Sequence, residues 1–307
     1  MGKVAVFGPH PMLSITIEAL TAEGGDDIHV HAAGQGVWVA RMAAELGAET
    51  TLCGFVGGEP GTVLRPLLDQ LPVEMRLIET TAATGAYIHD RRSGERVPLA
   101  QSASLPPSRH EVDDLFSVAV AAALEADVLA LCGPYPGEAL PLEIYGKLTA
   151  DVRDNGTPVV VDLSPPRLDS ALEGKPDLVK INDWEVAKFI EGPVDTEARM
   201  RAAVERLLEG GAGAAIVTRA EQPAMVVRGE EAWELIPPRF ERGAREGCGD
   251  SMMGGLAACM AAGLEWEETL RIGAAAGAAN FLRQGLGSAG RSVVDDLARR
   301  VELRPLG

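Results

Sequence analysis

The sequence predicts an α/β protein, with a largely parallel central sheet flanked by helices and a small β-sheet lid set apart from it. Two observations carry that prediction. From residue 110 onward, helical segments alternate with short apolar strands at 127–132, 158–163, 178–181 and 214–218, the rhythm of repeated βα units. Earlier in the chain, two pairs of segments alternate polar and apolar residues around turns, as half-exposed antiparallel hairpins do. Residues 1–307 are expected to form one domain, with lid strands drawn from about 12–32 and 73–101.

In order, residues 3–8 read as an apolar strand ending on Gly8, followed by a loop through Pro9 and Pro11. Residues 14–20 and 27–31 then alternate around Glu23-Gly24-Gly25-Asp26 as the first hairpin. Its histidines, His29 and His31, project from one face, but no third ligand accompanies them, so they read as a polar lid face rather than a metal site. Residues 37–47 form an amphipathic helix closed by Gly47, and 51–58 a strand running into a second Gly-rich loop. Residues 84–90 and 95–99 flank Arg91-Arg92-Ser93-Gly94 as the second hairpin, and 73–78 just before them are assigned to the same small sheet. After the βα units come one more hairpin, 225–228 with 233–236, and two long helices at 249–262 and 266–284.

A composition of 46% hydrophobic and 24% charged residues is that of an ordinary soluble globule. The excess of 45 acidic over 28 basic residues gives a net charge of −17, which opposes binding to nucleic acid or an anionic membrane. Any anionic ligand must therefore be held by local groups. No basic-then-apolar leader opens the chain and no run reaches the length of a membrane span, so a cytoplasmic location is expected. Cys53, Cys132, Cys248 and Cys259 are scattered without C-x-x-C spacing, which indicates reduced thiols rather than zinc ligands or a disulfide framework.

One turn carries the chemistry. Gly247-Cys248-Gly249-Asp250 opens an Ala/Met-rich helix, and a helix that begins on a Gly-rich turn presents unpaired N–H groups and the positive end of its dipole to an anion. The Asp250 carboxylate beside that anion is a candidate proton acceptor, which together suggest phosphoryl transfer. Taken alone, the same four residues also describe an Asp cap on a core helix. Asn182 and Glu185, three apart, face one side of a turn, either as a helix cap with its capping-box glutamate or as holders of a hydrated metal. Gly133, Ser164, Asn182 and Thr218 each follow a strand and are expected to converge with the Gly247 turn on one crevice at the carboxyl ends of the sheet.

Six segments in register resemble the PfkB, or ribokinase-like, carbohydrate kinases, in particular the phosphofructokinase branch. Gly247-Cys248-Gly249-Asp250-Ser251-Met252 is similar to G-A-G-D-S-M, and residues 34–40, GQGVWVA, to G-K-G-x-N-V-A. Gly54-Phe55-Val56-Gly57-Gly58 with Gly61 resembles G-F-x-G-G-x-x-G, and Gly133-Pro134-Tyr135-Pro136 resembles G-S-x-P. Val160-Val161-Asp162-Leu163-Ser164 resembles V-V-D-T-S, and residues 180–185, KINDWE, resemble K-P-N-x-x-E. The resemblance implies a ribokinase-like fold and an ATP- and Mg²⁺-dependent transfer to a hydroxyl. Asp250 would be the base, and the N–H groups of Gly247, Cys248 and Gly249 would form the anion hole. It further implies nucleotide contacts at Asn182, Glu185, Thr218, Arg219 and Asn280, with Mg²⁺ held through water by Glu185 and Asn182. The acceptor would meet Ser14, Gly34, Gln35, Gly36, Trp38, Tyr87 and Gly133.

Departures from the pattern concentrate on specificity. Ser14 stands for the Asp that grips sugar hydroxyls, Gln35 for the Lys of G-K-G, Trp38 for an Asn, Gly85 for a phosphate-binding Arg and Pro134 for a Ser. Losing that Lys and Arg removes charge-assisted bonds of about 1.5–3 kcal/mol each, so a sugar phosphate is not expected to bind in the usual way unless Arg91, Arg92 or Arg96 replaces them. Residues 218–223, TRAEQP, lack both glycines of S-x-G-x-x-G, and the charged pair Arg245-Glu246 precedes the anion hole. The leading expectation is a kinase for a small sugar, sugar phosphate, polyol or nucleoside-like acceptor. The competing ones are a PfkB-like ligand-binding or regulatory protein with impaired turnover, and a true phosphofructokinase. A lid of half-exposed strands has edges to cover, which fits a homodimer through the lid.

Overall fold

The computed structural model describes residues 2–20, 24–133, 140–283 and 286–306. The chain opens on β1 (Lys3–Phe7), leaves for a hairpin, β2 (Met12–Ala19) and β3 (Asp26–Ala33), and returns through α1 (Gln35–Glu45), β4 (Glu49–Gly57), α2 (Gly58–Leu68) and β5 (Glu74–Thr80). A second excursion, β6 (Ala86–Asp90) and β7 (Val97–Ser102), precedes α3 (Arg109–Leu124). Alternation follows: β8 (Val128–Cys132), α4 (Glu143–Asp154), β9 (Val159–Asp162), α5 (Arg167–Glu173), β10 (Leu178–Asn182), α6 (Asp183–Phe189), α7 (Glu197–Glu209) and β11 (Ala214–Arg219). The chain closes with β12 (Gln222–Arg228), β13 (Glu231–Ile236), α8 (Cys248–Ala261), α9 (Trp266–Phe281), α10 (Arg291–Ala298) and β14 (Glu302–Leu306).

Among the described residues, ten strands make one sheet in the order β14-β13-β12-β11-β10-β9-β8-β1-β4-β5. The run from β11 to β5 is parallel and the β12–β14 end antiparallel. This is the expected α/β architecture. The central strands β8, β9 and β10 are near-continuous apolar runs because helices cover both faces of a parallel sheet. Two cores result, one packed under α1, α8 and α9 and the other under α3, α4 and α7. The helix α8 is buried along most of its length, and its mid-helix Gly254 is explained by close approach: a Cβ there would sit 2.5 Å from the Val39 carbonyl oxygen.

The small sheet has the order β3-β2-β6-β7, with β2 and β6 parallel at its centre. Residues 73–78 do not join it. All but Val73 lie in β5, the parallel edge of the main sheet beside β4. Gly58 opens α2 rather than a loop, and the second lid hairpin closes on β7, two residues later than expected. Residue 284, expected in the last long helix, and Pro134, Tyr135 and Pro136, which carry the resemblance to G-S-x-P, lie outside the described residues. Among the described residues no helix is long and apolar enough to cross a membrane, and the four cysteines are free.

Candidate active site

Strand alternation builds the floor of the site. On β9, Val160 faces the α8 side, so Asp162 two residues on does too. On β10, Leu178, Lys180 and Asn182 share that side, and on β11 Ala214, Ile216 and Thr218 do. Each row begins apolar under α8 and turns polar only at the carboxyl end of its strand. The register brings Lys180 Nζ to 2.7 Å from Asp162 Oδ2, an ion pair whose two side chains are almost wholly buried. Burial alone works against the charge of Lys180. The neighbouring Asp162 and Asp250 outweigh it and hold the ammonium above its ordinary pKa.

The wall above this floor is the start of α8. Gly247 caps the helix in the left-handed region, at φ 72, which a residue with a Cβ adopts only under strain. The N–H of Cys248 turns back to the Arg245 carbonyl at 3.3 Å. Among the described residues the N–H groups of Gly247, Gly249 and Asp250 have no acceptor, so the open donors are these rather than the three expected. Gly249 packs on Lys180: a Cβ there would lie 2.6 Å from its Nζ. An ammonium therefore sits directly under a helix N-terminus. Three carboxylates surround it. Burial, with Asp162 adding to it, pushes Asp250 up to about 7, and the same two causes push Glu185 up to about 7. Asp162, Glu185 and Asp250 against one lysine leave an excess of negative charge that a cation would relieve. Burial pushes the Cys248 thiol up to about 11, which keeps it protonated and no nucleophile.

Gln35 and Asn182 bond close to the turn. Gln35 Oε1 accepts from the Gly133 N–H at 2.9 Å and its Nε2 donates to the Asp162 carbonyl at 3.1 Å, tying the ends of β8 and β9 together beside Asp250. Asn182 caps α6, accepting from the Glu185 N–H at 2.9 Å, while its Nδ2 donates to Glu185 Oε2 at 2.5 Å. The capping arrangement is present, and Asn182 also lines the crevice. Asn280, expected at the nucleotide, is 0% exposed and both ends of its amide are occupied. Nδ2 donates to the Glu246 carbonyl at 2.8 Å and Oδ1 accepts from the Gly287 N–H at 2.8 Å, so it braces the turn from behind.

The turn divides two cavities. One, of about 320 Å³, is lined by Lys180, Asn182, Trp184, Thr218, Arg219 and Gly249. Here residues 218–223 form a tight connection with Ala220 at φ 50, held by Arg219 Nε donating to the Pro223 carbonyl at 2.8 Å. The other, of about 190 Å³, lies beneath the lid and is lined by Ser14, Trp38, Tyr87, Arg41, Arg91 and Arg96. His29 and His31 stack with ring centroids 5.8 Å apart on its wall. Among the described residues no group of three or more His, Cys, Asp or Glu could hold a metal. The charged pair before the turn points both ways: Arg245 pairs with Glu221 on the first cavity's side, and Glu246 with Arg96 of the lid at 3.2 Å. Lys180 is the candidate that the motifs leave unmarked, although a lysine inside an apolar strand, two residues before Asn182, is a signal for it.

Comparison with known proteins gives the family and the fold. The model of the pfkB family carbohydrate kinases matches residues 6–291. The chain is 28% identical over 284 residues to 1-phosphofructokinase of Rhodobacter capsulatus, covering 85% of this chain and 84% of that protein. It is 29% identical over 259 residues to ATP-dependent 6-phosphofructokinase isozyme 2 of Escherichia coli K12, covering 82% of each. The structure of phosphofructokinase-2 from Escherichia coli in complex with potassium superposes with a TM-score of 0.85 at 26% identity, over 98% of this chain and 99% of that one. The expected ribokinase-like fold is thereby met, and the chain belongs to the pfkB family of carbohydrate kinases.

Proposed function

We propose that the protein transfers the γ-phosphoryl group of ATP to a hydroxyl of a small sugar, sugar phosphate, polyol or nucleoside-like acceptor, with Asp250 as the base. The observation that carries the reading is the position of the α8 turn between two cavities, one on the side of Asn182 and Thr218, the other under the lid. A donor in the first and an acceptor in the second would meet in line across Gly249 and Asp250. Charge on the transferring group would fall on the open N–H groups of Gly247 and Gly249, the helix dipole and the Lys180 ammonium, with Asp162 fixing that ammonium in place. Asp250 would take the hydroxyl proton, and its pKa of about 7 suits an acceptor of protons near neutrality.

The surplus of carboxylates around Lys180 fits Mg²⁺, which Asn182 and Glu185 would hold through water beside the phosphates, the metal supplying charge neutralisation between them. Thr218 and Arg219 line the nucleotide side, where the Gly-free 218–223 turn replaces the backbone donors of a flexible loop. A ligand-binding protein without turnover fits less well, because Asp250, the open N–H groups of the turn and the buried Lys180 ammonium lie together. The lid exposes Ile28 at 62% and Leu99 at 54%, apolar surface that a second copy of the chain would cover, so a homodimer through the lid is part of the proposal. Purified protein with Mg-ATP and a panel of sugars and sugar phosphates tests the function by ADP release. Saturable release with at least one acceptor is expected. No release with any acceptor, together with no calorimetric binding of ATP, would overturn it.

A further inference from the structure

The charged pair before the turn has no part in the transfer as described so far. Its second member, Glu246, pairs with Arg96 of the lid, Oε2 to Nη1 at 3.2 Å. Among the described residues this is the one ion pair that joins the lid to the rest of the protein. Arg91 with Glu18, and Arg92 with Asp90 and Asp26, stay within the lid. Arg96 ends the loop between β6 and β7, and β7 is an edge strand, exposed along its length and paired in the sheet with β6 alone. An outer strand of that kind has little apolar burial to hold it, so a contact at its start bears directly on where it rests.

Both terminal nitrogens of Arg96 are engaged by the protein itself. Nη1 meets Glu246, Nη2 donates to His89 Nδ1 at 3.2 Å, and the guanidinium lies over the Tyr87 ring at 5.2 Å. Burial first, and then Arg96, hold the His89 imidazole below its ordinary pKa, which keeps Nδ1 an acceptor. With 15% of its side chain exposed, Arg96 is shielded from the solvent that weakens ordinary surface pairs. Glu246 is half-exposed, but its backbone is fixed: its carbonyl accepts from Nδ2 of the buried Asn280 at 2.8 Å. The same peptide plane carries the N–H of Gly247, which has no acceptor among the described residues. The direction of that donor is therefore set by Asn280 at the carbonyl and by the tie of the Glu246 side chain to the lid beside it.

We infer that Arg96 and Glu246 are positioning residues for the transfer, their ion pair tying the lid to the turn that opens α8. This rests on the kinase reading above and goes beyond it in linking the lid to the anion hole. Both side chains line the cavity beneath the lid. While the pair is made, the lid stands over that cavity and the Glu246–Gly247 peptide presents its N–H to the transferring group. When it is broken, the edge strand is freed and the turn loses its support on the lid side. Neither residue is assigned to the reacting atoms. Their part is to keep water out and a donor in place, and both effects fall on kcat rather than on the affinity for ATP.

The test uses Glu246→Gln, Glu246→Arg and the exchanged pair Arg96→Glu with Glu246→Arg, and Asp26→Asn as a control on an ion pair confined to the lid. Hydrogen exchange read by mass spectrometry follows the lid in the protein without ligands. Steady-state kinetics with Mg-ATP and fructose 6-phosphate or fructose gives kcat and the KM for ATP. Exchange over residues 97–102 should rise about threefold to tenfold in Glu246→Gln and further in Glu246→Arg, and kcat should fall in the same order. The exchanged pair should recover most of both losses, while KM for ATP in every variant, and all readings in Asp26→Asn, stay within about twofold of wild type. Unchanged exchange, unchanged kcat, or losses that the exchanged pair does not recover would each overturn the proposal and leave the kinase reading intact. Lid exchange that follows the pair in a protein with no turnover on any acceptor would uphold the tie and remove the kinase reading. Should Glu246→Arg fail to fold, Glu246→Gln and Arg96→Met carry the test as a cycle, the two together costing no more than the larger single loss.

Discussion

Replacing Asp250 by Asn should make the protein more stable and inactive at once, and the gain in stability should depend on pH. Burial first, then Asp162, raise the folded-state pKa of Asp250 from an ordinary 3.8 to about 7. Between those values the unfolded chain has lost the proton that the native protein still holds. Stability contributed by the neutral carboxyl is therefore lost as pH rises through that window and is fully lost above about 7. A shift of about three units sets a ceiling of about 4 kcal/mol on the strain of holding the ionised form. Asn keeps the shape and removes the charge at every pH. In urea unfolding of the nucleotide-free protein with chelator present, Asp250→Asn should gain about 1–3 kcal/mol relative to wild type between pH 5 and pH 8.5. Turnover should fall by about 10²–10⁴ over the same range. A gain that is flat with pH, or a variant less stable than wild type at pH 8.5, would refute the reasoning that places a strained carboxylate at the head of α8.

Other perturbations probe the surroundings of the turn. Lys180→Met breaks a buried ion pair and leaves Asp162 uncompensated, so thermal unfolding should reveal a loss of about 3–5 kcal/mol, partly recovered in the double variant with Asp162→Asn. Asn280→Ala strands the Glu246 carbonyl and the Gly287 N–H, which should cost about 1–3 kcal/mol in denaturant unfolding and loosen the turn enough to lower kcat. Gln35→Lys brings an ammonium beside Asp250, which should move the acidic limb of the kcat/KM profile to lower pH. An unmoved limb would detach Gln35 from the base.

Local pattern and distant register were not equally legible in the chain. The strands β8 to β11 announce themselves as apolar runs after helical segments, and the Gly247 turn joins two glycines to an acid at the start of an Ala-rich helix. The strand β5 was misassigned to the lid because an edge strand of a large sheet is only half-buried, and its alternation matches that of a lid strand. Lys180 was passed over because its partner Asp162 lies 18 residues away, and only the parallel pairing of β9 with β10 brings the two together. Asn280 was placed at the nucleotide for want of any sign that both ends of its amide would be used internally.

The central claim is that the head of α8 passes a phosphoryl group from one cavity to the other. A single-turnover experiment with γ-labelled Mg-ATP and fructose 6-phosphate, fructose 1-phosphate or free fructose tests it most directly. In wild type the label should appear on an acceptor, and in Asp250→Asn it should appear at least a hundredfold more slowly. Equal rates in the two proteins, or label that never leaves ATP while both ligands bind, would contradict the account.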